Sequence, residues 1–507
     1  PYDRETDLTY WEEDPEAAVK ALNNCYTYLG NMDEQLYSEA MTDNAYTKQP
    51  NDFTQNIGNG SYSTADSYVK QVWDGRYTGI RMCNQLLENI DRVPDLDPEL
   101  KKRYIGEAKV LRAYNYYELY TKFGDVPYTT KVLSIKESMS IARTDRATVI
   151  ANMLADLDEV INGNYLPASY DADNKGRITR WAAMAIKAKI YLFEGNWTQV
   201  KNITSTIMTE GGFRLFGSYA GLFEIANEYN SEVILDAQYR PTSREHQMMY
   251  AFLPPSLGGY SQLSPLQELV DSYIMLDGKT IRETGTSFDE SNPYANRDPR
   301  LKATVMYTGN SYTLADGTEV VINCEKGEGK DGYGVGSDCS ATGYYIKKYW
   351  DNTYRATLYS GLNPILIRYA DILLMNAEAL AELGELDKTA WDATIKPIRD
   401  RAGFTLASAV EFPEGASKDK LIEIVRNERR SELALEGHRH KDIIRWRIAD
   451  NVLNGWCHGL KTNDVVGTDD GYVRVENRTF NANRHYLWPI PQAERDLNGN
   501  LEQNPNW

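Results

Sequence analysis

The stretch ITRWAAMAIKAKIYLFEGNWTQVKNITSTIMTEG (178–211) decides the architecture. Its apolar residues recur three and four apart, the helical period, and Gly195-Asn196 interrupts the pattern midway. It therefore reads as helix, tight turn, helix. Ala182, Ala185 and Ala188 keep one limb thin, where a second helix must lie close. At about 34 residues the unit fits a tetratricopeptide-like hairpin. RYADILLMNAEALAELGELDKTAWDATIKPIRDRAG (368–403) repeats the design with Gly384 at the turn. Hairpins of this kind cannot bury their apolar faces alone and stack on neighbours.

Working outward, DPEAAVKALNNCYTYLG, SYVKQVWDGRYTGIRMCNQLLENI and PELKKRYIGEAKVLRAYNYYELYTKFG carry the same period, which predicts a mainly helical stretch over 1–235. In the third, Ile105, Ala108, Leu111 and Leu119 predict one buried stripe, and Gly124 with Pro127 ends the helix. Residues 236–362 have another texture. They are a quarter of the chain but hold 13 of its 36 Gly and 13 of its 36 Tyr, so long loops with small strands such as TEVVINC and GYYIKKYW are expected. Loops on a rigid scaffold are where binding groups concentrate. The helix LIEIVRNERRSELALEG leads into a loop-rich C-terminal stretch, and no flexible linker separates independent domains.

Composition narrows the function. Apolar residues make up 42% and charged residues 25% of 507, a globular balance with material for a core. No run approaches the ~18 uninterrupted apolar residues of a membrane helix. A net charge of −18 repels phosphate backbones, which argues against nucleic-acid binding. Tyr 36 against Phe 11 favours rings that also hydrogen-bond; many are expected to serve core or loop packing, and the excess favours a recognition protein over a compact catalyst. Of the five cysteines, Cys25, Cys83 and Cys457 are expected as buried small hydrophobes, while Cys324 and Cys339 flank a Gly-rich loop and could close it as a disulfide. The chain opens PYDRETDLTYW without a basic or apolar leader, so the expectation is that any export signal has been removed.

Catalytic patterns fail one by one. Gly327, Gly329 and Gly332 satisfy G-x-G-x-x-G, but YGVGSDCS cannot open the helix that would present its N-terminus to a pyrophosphate. Gly278-Lys279-Thr280 ends like a phosphate loop with Tyr273 where its first glycine belongs. Asp171, Asp173 and Gly176 suggest a calcium loop, yet Lys175 and Ala182 occupy ligand positions. The five histidines form no zinc motif, and no G-x-S-x-G nucleophile elbow occurs. Glu428, Glu432 and Glu436 share a helix face at i, i+4 spacing. They read as an ion network compensated by Arg429, Arg430 and Arg439, with a catalytic carboxylate pair as the sharper alternative.

At this helix the residues become familiar. NERRSELALEGHRHKDIIRW (427–446) resembles the C-terminal signature of the SusD/RagB family of outer-membrane nutrient-binding lipoproteins. GEAKVLRAYNYYELYTKFGDVPY (106–128), RWAAMAIKAKIYLFEGNW (180–197), NRDPRLKATV (296–305), RYADILLMNAEALAELG (368–384) and YLWPIPQAERDLNGNLEQNPNW (486–507) resemble other family landmarks in the right order. The resemblance implies one mainly α SusD-like domain over 1–507, with tetratricopeptide-like hairpins as scaffold and small β elements. Its parts would be a helical half at 1–235, a loop-rich ligand-side insertion at 236–362, and a C-terminal helical part and tail at 363–507. It also implies a non-catalytic surface protein that delivers oligosaccharides, or for some members peptides, to a SusC-like TonB-dependent transporter. Family members are anchored through an N-terminal lipidated Cys. That residue is absent here, so the expectation is a chain beginning just after or near it.

Ligand residues vary within the family, so the candidates come from two loop regions. SEAMTDNAYTKQPNDFTQNIGNGSYSTAD supplies Asp43, Asn44, Tyr46 and Tyr62, and the mid-chain region supplies Tyr260, Tyr294, Trp350, Tyr354 and Arg355. Aromatic planes bury the C–H face of a sugar while Asp, Asn and Arg bind its hydroxyl rim, and three or more of the set are expected to line one cleft. Trp73 and Tyr77, four apart on a helix, are expected in the core. No cofactor is expected; a structural calcium ion is compatible with the acidic surface, though no loop specifies one. A glycoside hydrolase and a protein-interaction scaffold remain as alternative functions.

Overall fold

The computed structural model describes residues 7–48, 53–354 and 357–507. Helices dominate, and the sheets among the described residues are small, the largest having three strands. The chain divides into two compact units. One comprises residues 1–30, 62–194 and 481–507, the other residues 31–61 and 195–480.

The first unit is built on helices Ala17–Tyr26, Ser67–Asn89, Pro98–Phe123, Arg146–Asn162 and Arg180–Phe193. Asp66, Asp97, Asp145 and Thr179 each accept backbone N–H groups at a helix start, which satisfies donors the helix itself leaves orphaned. Gly124, at φ +73, ends the long helix as expected. The single stripe does not hold. Ala108, Leu111 and Leu119 are buried, but so are Glu107, Arg112, Asn115, Glu118 and Lys122 on the other faces, while Ile105 is only half-buried. Neighbours cover this helix on every side, and its buried charges are paired, as in Arg112 to Asp156 and Lys122 to Glu118. Close approach also dictates a glycine. A Cβ on Gly79 would lie 2.7 Å from Tyr28 Cβ and 2.9 Å from the Asn115 amide.

The 178–211 stretch does form helix, turn and helix, with Gly195 at φ +68. The division between the units falls at that turn. Arg180–Phe193 packs on Arg146–Asn162, and Trp197–Glu210 packs on Tyr369–Leu383 in the second unit. There Tyr369–Leu383 is buried from Ala370 to Ala381, lies against Lys418–Glu432, and ends at Gly384 in the left-handed region. The following limb is split into Lys388–Ala393 and Ile395–Ala402. Pro397 has no N–H to offer the Ala393 carbonyl, so a continuous helix would lose a bond at that step.

Residues 236–362 carry short antiparallel pairs, as expected: Ser311–Thr313 with Glu319–Val321, and Val305–Met306 with Tyr345–Ile346. Many of their tyrosines serve the core, as the composition also allowed. Tyr273, Tyr312, Tyr344, Tyr345 and Tyr349 are core residues with at most 3% exposure. Tyr312 donates to Ile346 O, Tyr344 to Gln267 and Tyr349 to Leu435 O. Here the hydroxyl lets a ring be buried beside loop carbonyls that a Phe would leave unsatisfied. All five cysteines are free and buried, including Cys324 and Cys339, so the loop between these two is not closed by a disulfide.

Candidate functional site

A buried ion network ties together separate segments of the second unit. Glu428 meets Arg300 at 2.7 Å and Arg399 at 2.7 Å, while Glu432 meets Arg300 at 2.8 Å, Arg368 at 2.6 Å, and Arg401. Glu436 meets Arg368 and Lys348. The expected compensators are corrected. Arg429 pairs with Asp371 and Asp442, and Arg430 and Arg439 pair with Asp43. The shared helix face is corrected too, because the helix stops at Glu432 and Leu435, at φ +63, redirects the chain before Glu436. The Glu432 carboxyl is held far below the usual range. Burial opposes its charge, and three guanidiniums overcome that penalty.

Lys348, itself buried, extends the network toward the hollow beside Trp350. Its ammonium donates to Tyr219 OH, Ala434 O and Glu436, and lies 4.0 Å from the centre of the Phe223 ring. Burial pulls its pKa down to about 8, against the Glu436 charge. The next residue, Tyr349, is also interior and adopts φ +67, a conformation a non-glycine residue holds only when its surroundings impose it. Its hydroxyl is gripped by Leu435 O and Gln35.

Trp350 follows, half-buried at the edge of a hollow of about 400 Å3. Its indole N–H is spent on Thr313 O at 2.8 Å, and Tyr312 meets the ring edge-on at 5.3 Å. Phe223, Ile225, Ala226 and Ala303 supply further apolar wall, while Glu224, Lys347, Asn352 and Thr353 supply polar groups. Lys347 donates to Asn310 and is pulled below its ordinary pKa by burial, with the nearby Lys302 charge adding to the effect. Asp351 is buried and accepts from Ser360 and from Thr353 N, which braces that wall. The hollow thus offers an aromatic surface, aliphatic carbon and a mixed rim of hydrogen-bonding groups.

The nominated residues fare differently. Asp43 and Asn44, expected at a surface, are interior. Asp43 bridges Arg430 and Arg439, and Asn44 donates to Glu39 while accepting from Arg430. Tyr62 is also interior, 4% exposed and packed against His485, Trp488 and Trp507. A polar, loop-like composition did not imply exposure in these three, because the chain folds back over them. Tyr46 is half-buried on the strand Ala45–Thr47, paired with Ser264, and burial raises its hydroxyl to about 12. Tyr260 is 48% exposed and stacks on Tyr250, while Tyr294 stacks on Tyr307 at 4.0 Å and shares a hydrogen bond with Tyr344. Of the described nominated side chains, Trp350 alone lines the hollow. Arg355 and the Tyr354 side chain lie outside the described residues. Beyond the neighbours of Trp350 at 347–353, the lining groups come from 220–226, 303 and 313, distant segments with no sequence signal of their own. Among the described residues no group of three or more His, Cys, Asp or Glu could hold a metal ion, and no helix is long and apolar enough to cross a membrane.

Residues 222–507 match the family model of the SusD family, and residues 16–192 match a model described as starch-binding, associating with the outer membrane. A SusD-like protein of Formosa agariphila is 26% identical over 497 residues, 88% of each chain. A SusD-like carbohydrate binding protein of Bacteroides fragilis superposes with a TM-score of 0.86 at 28% identity, covering 97% of this chain and 100% of that one. A laminarin binding SusD-like protein shares the fold, with a TM-score of 0.72 at 24% identity over 97% and 99% of the two chains. One family model spans more than half of these residues, and solved relatives repeat the architecture almost end to end: the chain belongs to the SusD family.

Proposed function

We propose that the chain is a non-catalytic glycan-binding protein that receives an oligosaccharide in the Trp350 hollow. We further propose that it passes the ligand to a SusC-like TonB-dependent transporter while held at the outer surface of the outer membrane by an N-terminal lipid anchor. The observation that carries the reading is Trp350 itself. Its one polar atom is committed to Thr313 O, so what it contributes to the hollow is ring carbon beside hydrogen-bonding groups. A sugar presents the complementary surface, a face of C–H groups edged by hydroxyls. The volume falls within the ~300–1,000 Å3 usual for ligand sites. The similar Bacteroides fragilis protein is a carbohydrate binding protein, and one matched family model is described as starch-binding. Tyr260, with an exposed stacked ring, is the second proposed contact, and Tyr294, Tyr354 and Arg355 complete the proposed set. The absence of catalysis fits the carboxylates at 428, 432 and 436, which are locked to guanidiniums or to the Lys348 ammonium and poorly placed to exchange protons with a substrate.

Affinity electrophoresis and calorimetry on a panel of neutral and acidic polysaccharides test the reading. Binding is expected in the micromolar to millimolar range, about −8 to −4 kcal/mol. Trp350→Ala is expected to lose at least ~10-fold in affinity, while Trp350→Phe retains most of it. Both variants lose the bond to Thr313, so their difference isolates the ring face from stability. Wild-type affinity in Trp350→Ala would remove this hollow as the site, and release of reducing ends by the purified chain would remove the non-catalytic assignment.

A further inference from the structure

A second built recess lies in the first unit and has no part in the reading above. Helix Ser67–Asn89 and the segment 127–141 enclose about 670 Å3, closed from a third side by Glu494, Asn498 and Leu501. Its walls are pinned. Tyr77 donates to Pro127 O at 2.9 Å, the fully buried Asn84 donates to Thr129 O and Lys131 O, and Glu88 accepts from Val132 N at 2.8 Å. Opposite, Asn498 donates to Ser138 O and Ile141 O, and a capping box between Ser134 and Glu137 fixes the turn. A site held this way spends little ordering entropy on an occupant.

Its chemistry differs from that of the Trp350 hollow. Trp73 is only 4% exposed and the Tyr77 hydroxyl is spent, so little aromatic face is on offer for a sugar. The apolar lining is aliphatic: Val132, Leu133, Ile135, Ile141 and Leu501. Ile135 is 81% exposed, and Met139 on the same segment is 49% exposed. The charges are mostly settled, since Asp74 and Glu494 share Lys70, and Lys131 holds Glu137. Arg81 is exposed and has no ion-pair partner among the described residues. An occupant should therefore bring aliphatic side chains and a carboxylate. We propose that this recess docks a peptide segment of a protein partner, with aliphatic residues against Ile135 and its neighbours and an Asp or Glu at Arg81.

Random twelve-residue segments displayed on phage, selected against the immobilised full chain and counter-selected on the Arg81→Glu/Ile135→Glu variant, test this. Both positions are exposed, so the variant is expected to melt with the parent. Enriched segments are expected to combine aliphatic residues with an acidic one. As synthetic peptides they should lose at least ~10-fold in affinity to either single variant, keep it with Ile135→Leu, and leave polysaccharide binding unchanged. Enrichment without an acidic residue, equal binding to the variants, or no enrichment over the counter-target would each overturn the proposal. None of these outcomes touches the Trp350 site, which is read by glycan binding alone.

Discussion

Replacing Asp43 with Ala separates an interior ion pair from a ligand contact. The carboxylate is 5% exposed and meets Arg439 Nε and Nη2 at 2.8 Å each and Arg430 Nη2 at 3.0 Å. Burial pushes its pKa up, but the charges of Arg430 and Arg439 overcome this and hold it well below the usual carboxylate range. Arg430 answers with a guanidinium that burial pulls down to about 10 even with Asp43 beside it. Removing the carboxylate leaves two buried cations facing each other, a loss of about 3–5 kcal/mol. The second unit holds roughly 320 residues, and at about 2.1 cal/mol/K per residue its unfolding entropy near the midpoint is ~0.7 kcal/mol/K. A loss of ~4 kcal/mol therefore lowers its Tm by about 6 °C. Because the folded pKa is depressed, this contribution is present above the unfolded value near 4 and is lost as pH falls, so wild type and variant converge in acid. Calorimetry from pH 3 to 8, with glycan affinity measured alongside, is the assay. A variant with parental Tm and lost glycan binding would refute the burial argument and restore Asp43 as a contact.

Three further outcomes follow from the same kind of accounting. Tyr62→Ala should cost about 3–5 kcal/mol by emptying the space among His485, Trp488 and Trp507, with glycan affinity unchanged; urea denaturation reads the first and electrophoresis the second. Asp236 is 3% exposed and burial raises its carboxyl to about 6, so its folded state holds a proton that the unfolded chain releases near pH 4. Its contribution to stability accordingly falls by up to ~3 kcal/mol as pH rises from 4 through 6, and Asp236→Asn should flatten that slope in denaturant melts; a steeper slope would contradict the sign. Gly79→Ala drives a methyl to within 2.7 Å of Tyr28 Cβ and should cost about 1–3 kcal/mol, whereas Gly75→Ala, four residues earlier with open space at its Cβ, should be neutral or stabilising.

The helices were readable because their signals are local: Asp66, Asp97 and Thr179 cap where a period begins, and Gly124, Gly195 and Gly384 stop it. Trp350 was readable as a ring in a loop. Its setting was not, since Phe223, Glu224, Ala303 and Thr313 come to the hollow from 37 to 127 positions away in sequence. Asp43 and Tyr62 misled for the opposite reason. Their neighbours are polar and turn-rich, and the groups that enclose them come from position 430 onward. The Glu432 partners Arg300, Arg368 and Arg401 lie 132, 64 and 31 residues off, beyond any helical rule of i, i+4 pairing.

That last arrangement acts as a checksum on assembly. Arg300 and Arg368 arrive on two separate stretches and Arg399 and Arg401 on a third, and each meets a glutamate from the region 428–436 or Glu232. A truncated product ending before Glu428 would contain all four arginines and none of those late carboxylates, leaving Arg399 without its glutamate and Arg300, Arg368 and Arg401 with only Asp298 and Glu232 to share. Completion of the chain supplies the last carboxylates that these buried guanidiniums share.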